Sequence, residues 1–164
     1  MDLQQIRLGL VLRETGVQVN VRTFADRLIM QKTGYLLQQA GIPLGYHFTW
    51  YLRGPYSPDY TDDVFALAGA GSVEAAELDQ WKLDEPSANI LTRVKGLFDR
   101  ASKEAGPARW LELLASVLFL IRTRQASADD PSGIVNVLRK NEKFYSEPEV
   151  LEGIAELRQY EFPV

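Results

Sequence analysis

Cysteine is absent from the 164-residue chain, and histidine occurs once, as His47. A disulfide framework, a thiolate zinc site and a cysteine nucleophile are therefore excluded. A histidine-only metal centre or a triad with a histidine base has almost nothing to draw on. Long apolar runs are missing too. The most hydrophobic stretch, residues 110–121, contains Glu112. A membrane span needs about 20 apolar residues, so this stretch reads as a buried helix. The opening Met1-Asp2-Leu3-Gln4-Gln5 has no basic head followed by an apolar block, so it carries no secretory pattern. The expectation is a cytoplasmic protein with no membrane contact. Phosphate-loop, dinucleotide, nucleophile-elbow and H-E-x-x-H spacings do not occur, and no cofactor is expected.

What remains has the balance of an ordinary globular domain. Apolar residues make up 46% and charged residues 24% of the chain, and a chain of this length buries roughly two-thirds of its unfolded surface. One domain over residues 1–164 is predicted, with no Pro/Ser-rich linker and no repeat. The net charge of −4 is unevenly spread: residues 1–53 carry +3, 54–89 carry −7, 90–140 carry +4 and 141–164 carry −4. Blocks of alternating sign can dock on one another or face a charged partner.

Apolar spacing predicts a mainly α fold of six or seven helices with one small antiparallel hairpin, which could serve as a winged-helix-like element. The first two helices fall at about residues 3–14 and 21–40. Residues 45–53 alternate as a strand, with Tyr46, Phe48, Trp50 and Leu52 on an apolar face and His47, Thr49, Tyr51 and Arg53 opposite. Trp81-Lys82-Leu83 is the candidate second strand. Ser57 as N-cap, Pro58 as first helical residue and Asp59 in the first turn mark the next helix. A Gly/Ala-rich loop follows at residues 69–72. Two helices at about 88–104 and 108–124 come next, the latter central, and caps at Asp130 and Ser146 open two more.

Lys32 stands out. Its helical neighbours three and four residues away are Leu28, Ile29, Tyr35 and Leu36, so its amine needs a buried acceptor or a route to water. Candidate acceptors are Asp59, Asp62, Asp63 and the carbonyls of the corner at 54–56. Gln31 and Gly34 lie beside it, and a helical glycine points to close packing by another element. Arg53-Gly54-Pro55-Tyr56-Ser57-Pro58 is a rigid strand-to-helix corner. Asp62 and Asp63 are the one acidic pair placed to hold a divalent cation, though their spacing is not that of a calcium loop.

Met30-Gln31-Lys32-Thr33-Gly34-Tyr35-Leu36-Leu37, then Gly45-Tyr46-x-Phe48-x-x-Tyr51 and Arg53-Gly54-Pro55-Tyr56-Ser57-Pro58, resemble the signature of YwgA-like proteins, a family of small prokaryotic proteins. More distantly they resemble the Panacea domain found in many antitoxins. The resemblance is concentrated in residues 24–67. It implies a helical domain with a small hairpin and, for the Panacea branch, control of a partner protein; it brings no catalytic residues. The leading expectation is thus a non-enzymatic regulatory or antitoxin-like protein. Its motif residues Gln31, Lys32, Tyr35, Arg53, Gly54, Pro55, Tyr56, Ser57 and Pro58 would hold the fold or meet a toxin-like or regulatory partner. Two alternatives stand beside it: a winged-helix-type nucleic-acid binder with Arg22 and Arg27 among its contacts, and a metal-assisted enzyme using Asp62 and Asp63.

Overall fold

The computed structural model describes all residues, Met1–Val164. It is mainly helical: α1 (Leu3–Thr15), α2 (Phe24–Gln39), a hairpin of β1 (Thr49–Tyr51) and β2 (Gly54–Tyr56), then α3 (Pro58–Ala68), α4 (Ser72–Leu78), α5 (Glu85–Lys103), α6 (Pro107–Arg122), α7 (Pro131–Lys140) and α8 (Glu147–Gln159). There are eight helices. The additional one, α4, begins at the end of the Gly/Ala-rich loop, in residues assigned to no element from sequence, and none of its residues is buried. It is a surface helix of about two turns that hydrophobic periodicity had no means of revealing.

Local signals set most boundaries. Asp2, Thr23 and Ser146 each close a capping box with the side chain three residues on. Ser57 caps α3 through its hydroxyl, which accepts from the Tyr60 amide at 3.3 Å, with Pro58 as the first helical residue. The Thr23 cap starts α2 at Phe24, three residues later than its apolar spacing suggested.

The core is organised around α6. Every residue from 110 to 118 is buried, and α2, α5, α8 and β2 all pack on this helix. An apolar helix contacted on every side loses its amphipathic stripe because it has no wet face. α2 is its main partner, buried throughout residues 30–37. At Gly34 the Tyr60 ring comes so close that an added Cβ would overlap two of its ring carbons. The Tyr60 hydroxyl crosses to donate to the Met30 carbonyl at 2.7 Å. Here the helical glycine has its packing reason: it lets α3 sit directly on α2.

The hairpin differs from the expected one. Its second strand is Gly54–Tyr56, paired with β1 through Tyr51↔Gly54 and Thr49↔Tyr56; residues 81–83 form no strand. Leu52 and Arg53 make the tight turn between the strands, with Gly54 at φ 90°. Alternation between inside and outside runs from Ile42 to Phe48 before the ladder begins. It breaks at the turn, leaving Leu52 exposed instead of on the apolar face.

Candidate functional site

The two motifs meet, and their meeting builds the base of a cleft. Gln31 fastens α2 to the start of α3: its carbonyl oxygen accepts from the Ser57 amide at 3.2 Å, and its amide group donates to Thr61 Oγ1. One residue on, Lys32 Nζ donates to the Pro55 carbonyl at 2.8 Å. Its acceptor is thus a carbonyl of the corner and not an aspartate of α3. Asp63 is engaged elsewhere, accepting from Tyr46 Oη at 2.7 Å and from Gln5 Nε2 at 2.9 Å, while Asp59 and Asp62 are exposed. No third acidic or imidazole group gathers near Asp62 and Asp63 to complete a metal site.

A second lysine holds the other side of the turn. Lys143 Nζ donates to the Leu52 carbonyl at 2.9 Å and to Glu112 Oε1 at 2.7 Å, and it lies 5.7 Å from the centre of the Trp50 ring. Lys32, Lys143 and Glu112 are all buried; Glu112 pairs with Lys143, while the Lys32 amine gives its one hydrogen bond to the Pro55 carbonyl. Burial is the main force lowering the Lys32 pKa, to about 7; Glu112 opposes that shift and Lys143 adds to it. Ser116, four residues from Glu112 on the same face of α6, points its unpartnered Oγ at Gly54, where any Cβ would meet it at 2.6 Å. Sequence reading missed Lys143, Glu112 and Ser116 as a group. A signal was present: two polar residues four apart on one side of the most apolar helix mark a polar stripe that must face something.

Above this floor lies an open cleft of about 520 Å³ between the first half of α2, the face of α3 carrying Thr61, Val64 and Phe65, and the hairpin residues Tyr51–Arg53 and Tyr56. Its rim exposes large apolar side chains: Phe24 at 53%, Tyr51 at 59%, Leu52 at 76% and Phe65 at 47%. Scattered single apolar residues are normal on a surface; here four of them border one apolar cleft. The Arg53 guanidinium lies 5.6 Å from the centre of the Phe24 ring. Tyr51 and Tyr56 stack at 5.5 Å.

The remaining expected residues divide between structure and surface. Tyr35 is buried on the far side of α2, edge-on to Phe48 at 5.4 Å, and burial raises its pKa. Ser57 and Gly54 are buried, and Pro58 and Arg22 are exposed. Arg27 donates to the Val21 carbonyl at 3.0 Å. His47 is exposed on the outer side of the segment leading into β1. No helix is long and apolar enough to cross a membrane.

These features define a helical domain whose hairpin is pinned from below by buried charge and lined above by an apolar cleft. Comparison with models of protein families, with curated proteins and with solved structures finds no match.

Proposed function

We propose that this chain is a non-enzymatic regulatory protein, antitoxin-like in mode, that seats an apolar segment of a partner protein in the cleft between α2, α3 and the hairpin, and does so in the cytoplasm. One observation carries the reading: Phe24, Tyr51, Leu52 and Phe65 stand exposed together around an apolar cleft. The polar groups beneath it already serve the fold, since Gln31 and Lys32 spend their hydrogen bonds on the α3 start and the corner. The resemblance of residues 30–37 and 45–58 to the Panacea branch implies a partner-controlling role. Affinity isolation from the native host with the wild-type chain and with a Leu52→Asp/Phe65→Asp variant tests it. A stoichiometric partner kept by the first and lost by the second is expected; repeated isolation of the wild-type chain alone overturns it.

A nucleic-acid reading draws on Arg53 at the exposed turn, with Tyr51 and Phe24 beside it and Arg22 and Arg27 nearby in the sequence. α2 cannot serve it as a recognition helix, because residues 30–37 are buried and cannot enter a groove of a duplex. A salt-sensitive shift with mixed-sequence DNA, lost on Arg53→Gln, would favour it over the protein-binding reading.

A further inference from the structure

We infer that the segment this cleft accepts is an acidic amphipathic helix, with apolar side chains seated among Phe24, Leu28, Tyr51 and Phe65 and carboxylates meeting Arg27 and Arg53. This deepens the partner-binding reading above and rests on it. Charge complementarity is the first support. The fourteen residues lining the cleft include Arg27, Lys32 and Arg53 and no acidic residue, in a chain whose 22 acidic residues outnumber its 18 basic ones. The aspartates of the adjoining α3 stay outside the lining: Asp59 and Asp62 are exposed and Asp63 is held by Tyr46 and Gln5.

The arginines themselves supply the second support. Four of the chain's twelve arginines, Arg13, Arg93, Arg100 and Arg109, have a carboxylate within ion-pairing distance, and the other eight do not. Arg53 has none, and Arg27 touches only the Val21 and Arg22 carbonyls. A guanidinium offers five donors in a fixed fork suited to a carboxylate. Both groups thus retain donors for an incoming acid at the margin of an apolar cleft.

The shape selects a helix over an extended strand. Strand addition needs free backbone groups along a sheet edge, yet the Leu52 and Pro55 carbonyls at the hairpin end are already taken by Lys143 and Lys32. The walls are instead side chains at helical spacing: Phe24 and Leu28 on α2, Thr61, Val64 and Phe65 on α3. Two helices presenting such rows leave a groove into which the ridge of a third can pack.

The test uses the full chain, immobilised, to select from a phage-displayed library of random 16-residue peptides, with counter-selection on the Leu52→Asp/Phe65→Asp variant. Both substituted residues are exposed, and far-ultraviolet circular dichroism confirms that the variant is folded. Selected peptides are synthesised and titrated against the wild-type and Arg27→Gln/Arg53→Gln chains in low and high salt. Apolar residues at i, i+3 or i+4 and i+7 with flanking Asp or Glu are expected, together with binding weakened roughly tenfold by the double arginine change. Peptides without acids, indifferent to salt and to the arginine change, would overturn the acidic inference and leave the cleft reading standing. A library yielding nothing that counter-selection removes would overturn the cleft reading itself. Binding of a labelled single-stranded oligonucleotide that is lost on the same arginine change would overturn both in favour of a nucleic-acid face.

Discussion

Replacing Lys32 by methionine should alter how stability depends on pH more than stability at any one pH. In the unfolded chain the Lys32 amine keeps its proton up to its ordinary value of 10.5; in the fold, burial brings the pKa to about 7. Between these values the unfolded state holds more protons, so the stability of the wild-type chain rises with pH across the window. At about 1.4 kcal/mol per pH unit, a wild-type gain of roughly 3 kcal/mol relative to Lys32→Met is expected between pH 6.5 and 9.5. The variant also leaves the Pro55 carbonyl without its donor, an offset of about 1–3 kcal/mol that pH does not change. The two profiles should therefore converge or cross, with the variant the more stable one on the acidic side. Above about pH 10 both should fall. Burial holds Tyr35, Tyr46, Tyr60 and Tyr145 above their ordinary ionisation range, so the unfolded chain loses those protons first. Urea unfolding at pH 6.5, 8 and 9.5 measures the difference, and parallel profiles would refute a strained ammonium at position 32.

Four further substitutions probe the same region. Glu112→Gln removes the carboxylate paired with buried Lys143 and should cost about 3–5 kcal/mol in urea unfolding at pH 7.5; a loss below about 1 kcal/mol would mean that water already reaches the pair. Gly34→Ala drives a methyl into the Tyr60 ring and should cost about 1–3 kcal/mol by overpacking, read as a lowered Tm, whereas an unchanged Tm would show that the ring can give way. Ser116→Ala deletes a buried hydroxyl without a partner and should be neutral or stabilising by up to about 1 kcal/mol. Gly54→Ala should remain destabilising even when combined with Ser116→Ala, because its φ of 90° disfavours any side chain; rescue to wild-type stability would show that the hydroxyl clash was the whole cost.

Local signals carried through to the structure, and non-local ones did not. The Ser57–Pro58 start of α3 was legible because a cap is completed within four residues. The burial of Lys32 was legible from its helical neighbours. Its acceptor was only half legible: the corner carbonyls and the α3 aspartates were both reachable, and choosing between them required the tilt of α3 that Gly34 and Tyr60 set. β2 escaped notice because three residues containing Gly and Pro have no alternation to detect, whereas Trp81-Lys82-Leu83 alternates by chance in an irregular stretch. The cleft could not be seen at all from sequence. Its walls come from α2, α3 and a turn whose exposed Leu52 reads, residue by residue, as part of a strand's buried face.

The pinning of the hairpin by Lys143 has a temporal consequence. Leu52 and the lysine that holds its carbonyl are 91 residues apart in the chain. At a synthesis rate of about 5–20 residues per second, the turn waits on the order of 5–20 s before its second anchor exists. During that interval the nascent chain has Lys32 and the Pro55 carbonyl but not Lys143, and Glu112 is added only 60 residues after Leu52. The fourteen residues that line the cleft all fall between Val21 and Phe65, so this surface is synthesised well before the anchor that fixes its turn.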